Sequence, residues 1–192
     1  MFEYLMPLIV MPTYENTLLE QTYQAAVQRQ IEYGKQHGVA WGISESGYNT
    51  TDASLNYQYR AFGVPGLGFK RGLAEDLVVA PYASALALMV APLQACLNLQ
   101  RLEKEGLMGK YGLYEAVDHT PSRQPRGNSS TVIRSFMAHH QGMSLLSIAN
   151  FLHDEVVWKW FHSHPRVQAT ELLLQERPVG PMRTSATGAK AA

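Results

Sequence analysis

The chain has 192 residues, 46% of them hydrophobic, and its 16 basic and 16 acidic side chains leave a formal net charge of +0. That length suits one ordinary domain, which buries roughly 70% of the surface its unfolded chain exposes. Neutrality argues against nucleic-acid binding, which rests on clustered Lys and Arg; the one sizeable basic run, Arg123 to Arg134, is diluted by Pro, Gly and Ser.

Residues 1–11 are apolar but carry Glu3 and lack a basic lead, so they do not read as a signal peptide. A hydrophobic start of this kind reads as if cut from something larger, because domains normally begin at a surface. Thr17-Leu-Leu-Glu20 is a capping box. Leu19, Tyr23, Val27 and Ile31 follow at four-residue spacing, and Gly38 suits the left-handed position that ends a helix. Residues 38–51 read as a loop, 52–60 as a short helix or irregular turn, and the glycine-rich 61–73 as a second loop. Leu77 to Gln100 is an uncharged run long enough to span a bilayer on length alone. Pro81, Tyr82, Pro92, Asn98 and two glutamines argue instead for a buried helix pair. Each proline suits a first helical turn, which predicts helices over 82–90 and 92–105 with Gly106 as the stop.

The single cysteine, Cys96, falls in the second of these helices and reads as a small core residue. Alone it makes no internal disulfide and no zinc site built on Cys pairs, and the lack of disulfides favours a reducing compartment. Residues 111–118 alternate loosely, as a short strand or an extended loop. A polar loop covers 119–129, and a long helix, apolar on nearly every side and so expected to be buried, runs from Ser130 to His153. Helices over 155–162 and 166–176 follow, and the Pro, Gly, Ser, Thr, Ala and Lys from Pro178 onward read as a disordered tail. Without strand–helix alternation a doubly wound α/β fold is excluded. The expected class is mainly α with long loops, and loops of this length inside a domain are usually functional.

Two segments carry candidate chemistry. Trp41-Gly-Ile-Ser-Glu45-Ser-Gly-Tyr48-Asn49 and Tyr111-Gly-Leu-Tyr-Glu115-Ala-Val-Asp118 each set a carboxylate among aromatic and amide side chains. Aromatic faces pack on the C–H faces of sugar rings, amides bind their hydroxyls, and a pair of carboxylates is what glycosidic-bond chemistry needs. Glu45 and Glu115 are therefore the catalytic candidates, set against the commoner fate of a glutamate as a solvated or hydrogen-bonded loop group. Asp118 and Glu3 are reserves; burial of Glu3 in its apolar stretch would suit a general acid. Tyr57, Gln58 and Tyr59, with Arg60 and Phe62, could form a stacking platform for sugars or ordinary interior packing. His139, His140 and Gln141 lie in the predicted long helix, where buried histidines are usually satisfied by hydrogen bonds; lining a sugar cleft is the alternative. Adjacent histidines point about a third of a turn apart, and no His-x-x-x-His spacing with a carboxylate completes a zinc site, so no metal is expected. Gly63 to Gly68 lacks the order of a phosphate loop, no Ser nucleophile elbow is present, and no cofactor is called for.

Several long motifs carry a resemblance. Phe2-Glu-Tyr-Leu-Met-Pro, Trp41-Gly-Ile-Ser-Glu-Ser, Leu55 to Gly68, Asp76-Leu-Val-Val-Ala-Pro-Tyr-Ala, Tyr111 to Asp118 and Ser135-Phe-Met-Ala-His-His-Gln-Gly-Met-Ser resemble the glycoamylase-like domain of bacterial cyclic β-1,2-glucan synthases. The likeness runs from Met1 to about Arg177, leaving 178–192 as tail, and matches the later part of that domain. It implies a partial (α/α)6 toroid of helical hairpins, and an activity on linear β-1,2-glucan by retaining transglycosylation that closes the ring. By that resemblance Glu45 is the acid/base and Glu115 the nucleophile, and Glu3, Trp41, Tyr48, Asn49, Tyr57, Gln58, Tyr59, Tyr111, Asp118, His139, His140 and Gln141 face the sugar. It also implies a cytoplasmic-side place in an inner-membrane enzyme, between a glycosyltransferase region and a phosphorylase-like region. Two alternatives stand beside it: a truncated, non-catalytic glucan-binding remnant, and an α/α-toroid hydrolase acting on another glucan.

Overall fold

The computed structural model describes residues 1–68 and 72–178. The expected disordered tail from 179 onward lies outside the described residues.

The chain opens with one helical turn, α1 (Phe2–Leu5), and a 3-10 turn, Pro7–Ile9. Helix α2 (Leu18–His37) begins and ends as its sequence predicts. The Thr17 hydroxyl accepts from the Glu20 N–H, and the Glu20 carboxylate reaches back to the Asn16 N–H at 2.7 Å. Gly38 closes the helix at φ 68°.

The stretch read as loop and turn is instead a hairpin of β1 (Ser46–Thr51) and β2 (Tyr57–Arg60), paired antiparallel with Tyr48 opposite Gln58. Asp52 makes its turn: one carboxylate oxygen accepts from the Ser54 and Asn56 N–H groups, an Asx turn that needs no glycine. After β3 (Val78–Val79), Pro81 opens α3 (Pro81–Leu86), which runs into a 3-10 turn, Ala87–Met89. Pro92 opens α4 (Pro92–Leu102). A π-helical turn over Glu103–Leu107 ends at Gly106, φ 89°, close to the expected stop.

A small hairpin joins β4 (Met108–Gly109) to β5 (Gly112–Leu113). Next, β6 (Ala116–Asp118) lies between β3 and β7 (Thr131–Ile133), antiparallel to both. The long helix expected from Ser130 starts later, as α5 (Ala138–Leu152). Its first residues are spent on β7, because Thr131, Val132 and Ile133 are β-branched and find a partner strand in β6. Nor is α5 buried all round. His140, Met143, Ser147 and Asn150 form one buried stripe, while Leu145, Phe151 and Leu152 are exposed.

Helices α6 (Val156–Phe161) and α7 (Pro165–Gln168) and a 3-10 turn, Glu171–Gln175, complete the described chain. Cys96, expected in the core, is exposed on α4 beside Leu93 and Leu97. Of the expected buried helix pair only α3 is buried along its whole length. It packs against both α4 and α5, and the core runs from there through Val78, Val79, Ala116, Val117 and Ile133 of the three-stranded sheet. Each fully buried Leu, Ile or Val stabilises the fold by roughly 1.5–3 kcal/mol. No helix among the described residues is long and apolar enough to cross a membrane.

Candidate active site

Two side-chain amides fix the segment leading to Glu45. Gln30, buried on α2, donates to the Ile43 carbonyl at 2.7 Å and accepts from the Ile43 N–H at 2.9 Å. Asn98, buried on α4, accepts from the Trp41 N–H at 3.1 Å and donates to the Trp41 carbonyl and the Ser84 hydroxyl, each at 2.8 Å. Gly42 sits between them at φ 115°, where an added Cβ would come within 3.2 Å of the Ala80 carbonyl. Glu45 thus leaves a backbone held from both sides. Its own carbonyl accepts from the Tyr82 hydroxyl at 3.1 Å.

The Glu45 carboxylate, half-buried, accepts from the Tyr59 hydroxyl at 2.9 Å. That hydroxyl is also 3.2 Å from Nε2 of His139 and 3.2 Å from Nε2 of His140. On the far side of its ring, His140 Nδ1 lies 2.9 and 3.1 Å from the two oxygens of Glu115. The Glu115 carboxylate accepts from the Gly47 N–H as well, at 3.2 Å. Glu45, Tyr59, His140 and Glu115 therefore form one continuous chain of hydrogen bonds. Tyr82 lies under the His140 ring and bonds the Ser44 hydroxyl at 2.7 Å. Burial, and then the Glu45 carboxylate beside it, push the Tyr59 phenol well above its ordinary range; burial does the same to Tyr82.

Accessibility divides the two carboxylates. Glu45 lines a cavity of about 240 Å³ together with Glu3, Tyr4, Gln30, Ser44 and Phe62. Glu115 is only 2% exposed. With His140, Tyr82, Gln141 and Ile148 it lines a different cavity of about 180 Å³. Glu3, whose burial would have suited a general acid, is exposed at its cavity.

The histidines also differ from expectation. Their rings do not diverge: the centroids are 4.1 Å apart and both Nε2 atoms reach the same phenol. The donor atoms of Glu45, His139 and His140 lie within 4.8 Å of one another, and the Tyr59 hydroxyl fills the space among them.

The remaining candidates lie in other surroundings. Trp41 is buried against Gly34. Tyr48 packs edge-on against Phe62, with the guanidinium groups of Arg60 and Arg123 4.9 and 5.1 Å from its ring. The Asn49 side chain donates to the Arg123 carbonyl at 2.6 Å and to Thr131. Asp118 accepts from the N–H groups of Asn49 and Thr120 and from the Arg123 guanidinium. Burial alone would raise the Asp118 carboxyl; those donors outweigh it and hold the group below its ordinary range. Asp76 joins this cluster through Arg60 and Arg123. Tyr57 is half-buried against the core, and Gln58 faces Tyr48 across the hairpin. Tyr111 is 76% exposed, its ring set edge-on to Phe136 and near the Lys110 ammonium. Tyr82, Ser44 and Gln30 were not among the expected site residues. Tyr82 stood within a quoted motif, directly after Pro81, yet an uncharged helix start gave no sign that its hydroxyl would turn toward Ser44 and the Glu45 carbonyl.

Comparison with known proteins places this geometry in a family. The Glycoamylase family model, described as "Putative glucoamylase", matches residues 1–165. Over 177 residues the chain is 49% identical to the cyclic beta-(1,2)-glucan synthase NdvB of Rhizobium meliloti (strain 1021), covering 92% of this chain and 6% of that protein. An endo-beta-1,2-glucanase from Chitinophaga pinensis, solved with sophorotriose and glucose, shares the fold at a TM-score of 0.51 and 23% identity. The match covers 82% of this chain and 34% of that one. The chain thus spans a small part of the relatives it matches, and it belongs to the glycoamylase-like family that its motifs resemble.

Proposed function

We propose that this chain is part of the glycoamylase-like domain of a cyclic β-1,2-glucan synthase and acts on linear β-1,2-glucan. In this reading it is a portion of an (α/α)6 toroid, in a larger enzyme whose other regions make and trim the glucan at the cytoplasmic side of the inner membrane. Glu45 protonates the leaving glycosidic oxygen and later deprotonates the acceptor hydroxyl. Glu115 is the nucleophile of a retaining transfer. The observation that carries the reading is the single hydrogen-bonded chain from Glu45 through Tyr59 and His140 to Glu115, with Glu45 on an open cavity. The 49% identity to a cyclic β-1,2-glucan synthase supports the choice of substrate.

The test is to incubate the chain with linear β-1,2-glucan, β-1,3-glucan and α-1,4-glucan, following chain length and product anomer by NMR. Longer or cyclic β-1,2 products with retained configuration, lost in both Glu45→Gln and Glu115→Gln, are the expected result. Turnover of another linkage would mark a different glucanase. A second reading, a glucan-binding domain without turnover, draws on the 2% exposure of Glu115, which leaves its carboxylate little room to meet an anomeric carbon. Glucan binding without product would favour it.

A further inference from the structure

The buried end of the site holds more titratable groups than a pair of catalytic carboxylates requires. His140 is 1% exposed, yet it is fully engaged: Glu115 lies at Nδ1, the Tyr59 hydroxyl at Nε2, and Tyr82 stacks on its face. The Tyr59 hydroxyl has one proton and three neighbours, Glu45, His139 and His140. It cannot donate to Glu45 and to His140 at once, and this restriction gives the network two arrangements containing the same number of protons.

In the first, Glu45 is protonated and donates to the Tyr59 oxygen, Tyr59 donates to Nε2 of a neutral His140, and Nδ1–H donates to Glu115. In the second, Tyr59 donates to an ionised Glu45, and His140 is an imidazolium that donates from Nε2 to Tyr59 and from Nδ1 to Glu115. Going from the second to the first, the Nε2 proton passes to the Tyr59 oxygen as the phenol's own proton passes to Glu45. Nε2 loses one bond to hydrogen, the Glu45 oxygen gains one, the Tyr59 oxygen does both, and no outside donor is needed.

We infer that Tyr59 and His140 are positioning residues that store the proton of the acid/base, His140 holding it beside Glu115 and Tyr59 handing it to Glu45 at the cavity. The inference rests on the proposed role of Glu45. The proton is thus held at the buried end of the site, away from the solvent that reaches Glu45 at its cavity. The groups facing His140 are Glu115 ahead of β6, Tyr59 on β2, Tyr82 on α3 and His139 beside it on α5, with Glu45 beyond Tyr59. Among the described residues, Glu115 is the carboxylate in position to balance an imidazolium directly. Tyr82 supplies a flat surface that fixes the plane in which Nε2 points at the phenol.

The variant that cuts the relay is Tyr59→Phe, which keeps the ring and removes the shared oxygen. Two readouts on the 192-residue chain test it. The first is NMR titration of the His140 ring nitrogens, with and without Glu45→Gln. In the parent, Glu45→Gln shifts the His140 midpoint; in the Tyr59→Phe background that shift shrinks to about a third or less. The second is the pH profile of β-1,2-glucan turnover. Tyr59→Phe moves the alkaline limb of kcat/KM to lower pH, a loss of roughly a hundredfold at pH 7 with KM little changed. An equal NMR shift in both backgrounds overturns the relay, as does an unmoved limb in an enzyme that turns over glucan. NMR coupling without any turnover upholds the proton sharing and sinks the catalytic reading instead.

Discussion

The imidazole of His140 lies flat against the Tyr82 ring, centroids 3.7 Å apart and planes 12° from parallel. Tyr82 does two separable things: its face supports His140, and its hydroxyl ties Ser44 to the Glu45 carbonyl. Tyr82→Phe should cost about 1 kcal/mol, the usual net value of a lost hydrogen bond. Tyr82→Leu loses the stack as well and should cost about 3 kcal/mol. Chemical denaturation of the two variants checks the difference. Equal destabilisation would mean that the stack contributes nothing.

Gly34 on α2 faces the Trp41 backbone, and an added Cβ would lie 2.9 Å from the Trp41 Cβ and 3.1 Å from its Cα. Two effects oppose each other in Gly34→Ala. Helix propensity favours alanine by about 1 kcal/mol, while overpacking against a backbone that Asn98 pins costs about 1–3 kcal/mol. Because the obstructing atoms are the Trp41 main chain and the Cβ fixed to it, overpacking should win and the melting temperature should fall. A rise would show that the Trp41 segment gives way easily.

Asp118 makes the fold acid-sensitive. Burial pushes its carboxyl up, but Arg123 and the N–H groups of Thr120 and Asn49 hold it below the ordinary value of 3.8. A carboxyl depressed in the folded state stabilises the protein above its unfolded value, and that contribution is lost as pH falls through the folded one. Stability should therefore drop below about pH 4. Asp118→Asn, which leaves the Arg123 charge without its buried partner, should cost about 3 kcal/mol at neutral pH and flatten that acid limb. Urea midpoints measured across the range decide this.

His119 acts in a higher window. Burial lowers its value below 6.5, against the opposing charges of Glu105 and Asp118, and its buried Nε2 has no hydrogen-bond partner among the described residues. The unfolded chain takes up the proton first, so this stability is complete above pH 6.5 and declines as pH falls below it. His119→Gln should flatten the slope of stability just below pH 6.5 and leave the Asp118 limb in place. An unchanged slope in that window would remove His119 as its source.

Much of the helical frame was legible because helix ends are local. Thr17, Glu20 and Gly38 bound α2, Pro81 and Pro92 open α3 and α4, and Gly106 falls at the stop. The hairpin was not legible, since Asp52 makes its turn with a side chain and the usual glycine signal is missing. Helix α5 starts eight residues later than its sequence suggests, because β7 exists only through its distant partner β6. The motifs brought Glu45, Tyr59, His139, His140 and Glu115 into view, but not the order in which they touch. Tyr59 is a strand residue and His140 a helix residue 81 positions away, and no spacing rule links them. Trp41, Asn49 and Asp118 share the motifs of the two glutamates, yet they serve to hold chain segments together.

Gln30 and Asn98 grip the main chain at Ile43 and Trp41 through both a donor and an acceptor. A primary amide carries no charge at any ordinary pH, so the frame beneath Glu45 is deaf to the protons moving above it. Hydrogen atoms can change places among carboxylate, phenol and imidazole while the peptide that carries the carboxylate stays where it is. A glutamate at position 30 would end that insulation. It would set a carboxylate against the Ile43 carbonyl, and either a proton would have to bridge the two or the segment would move each time one arrived.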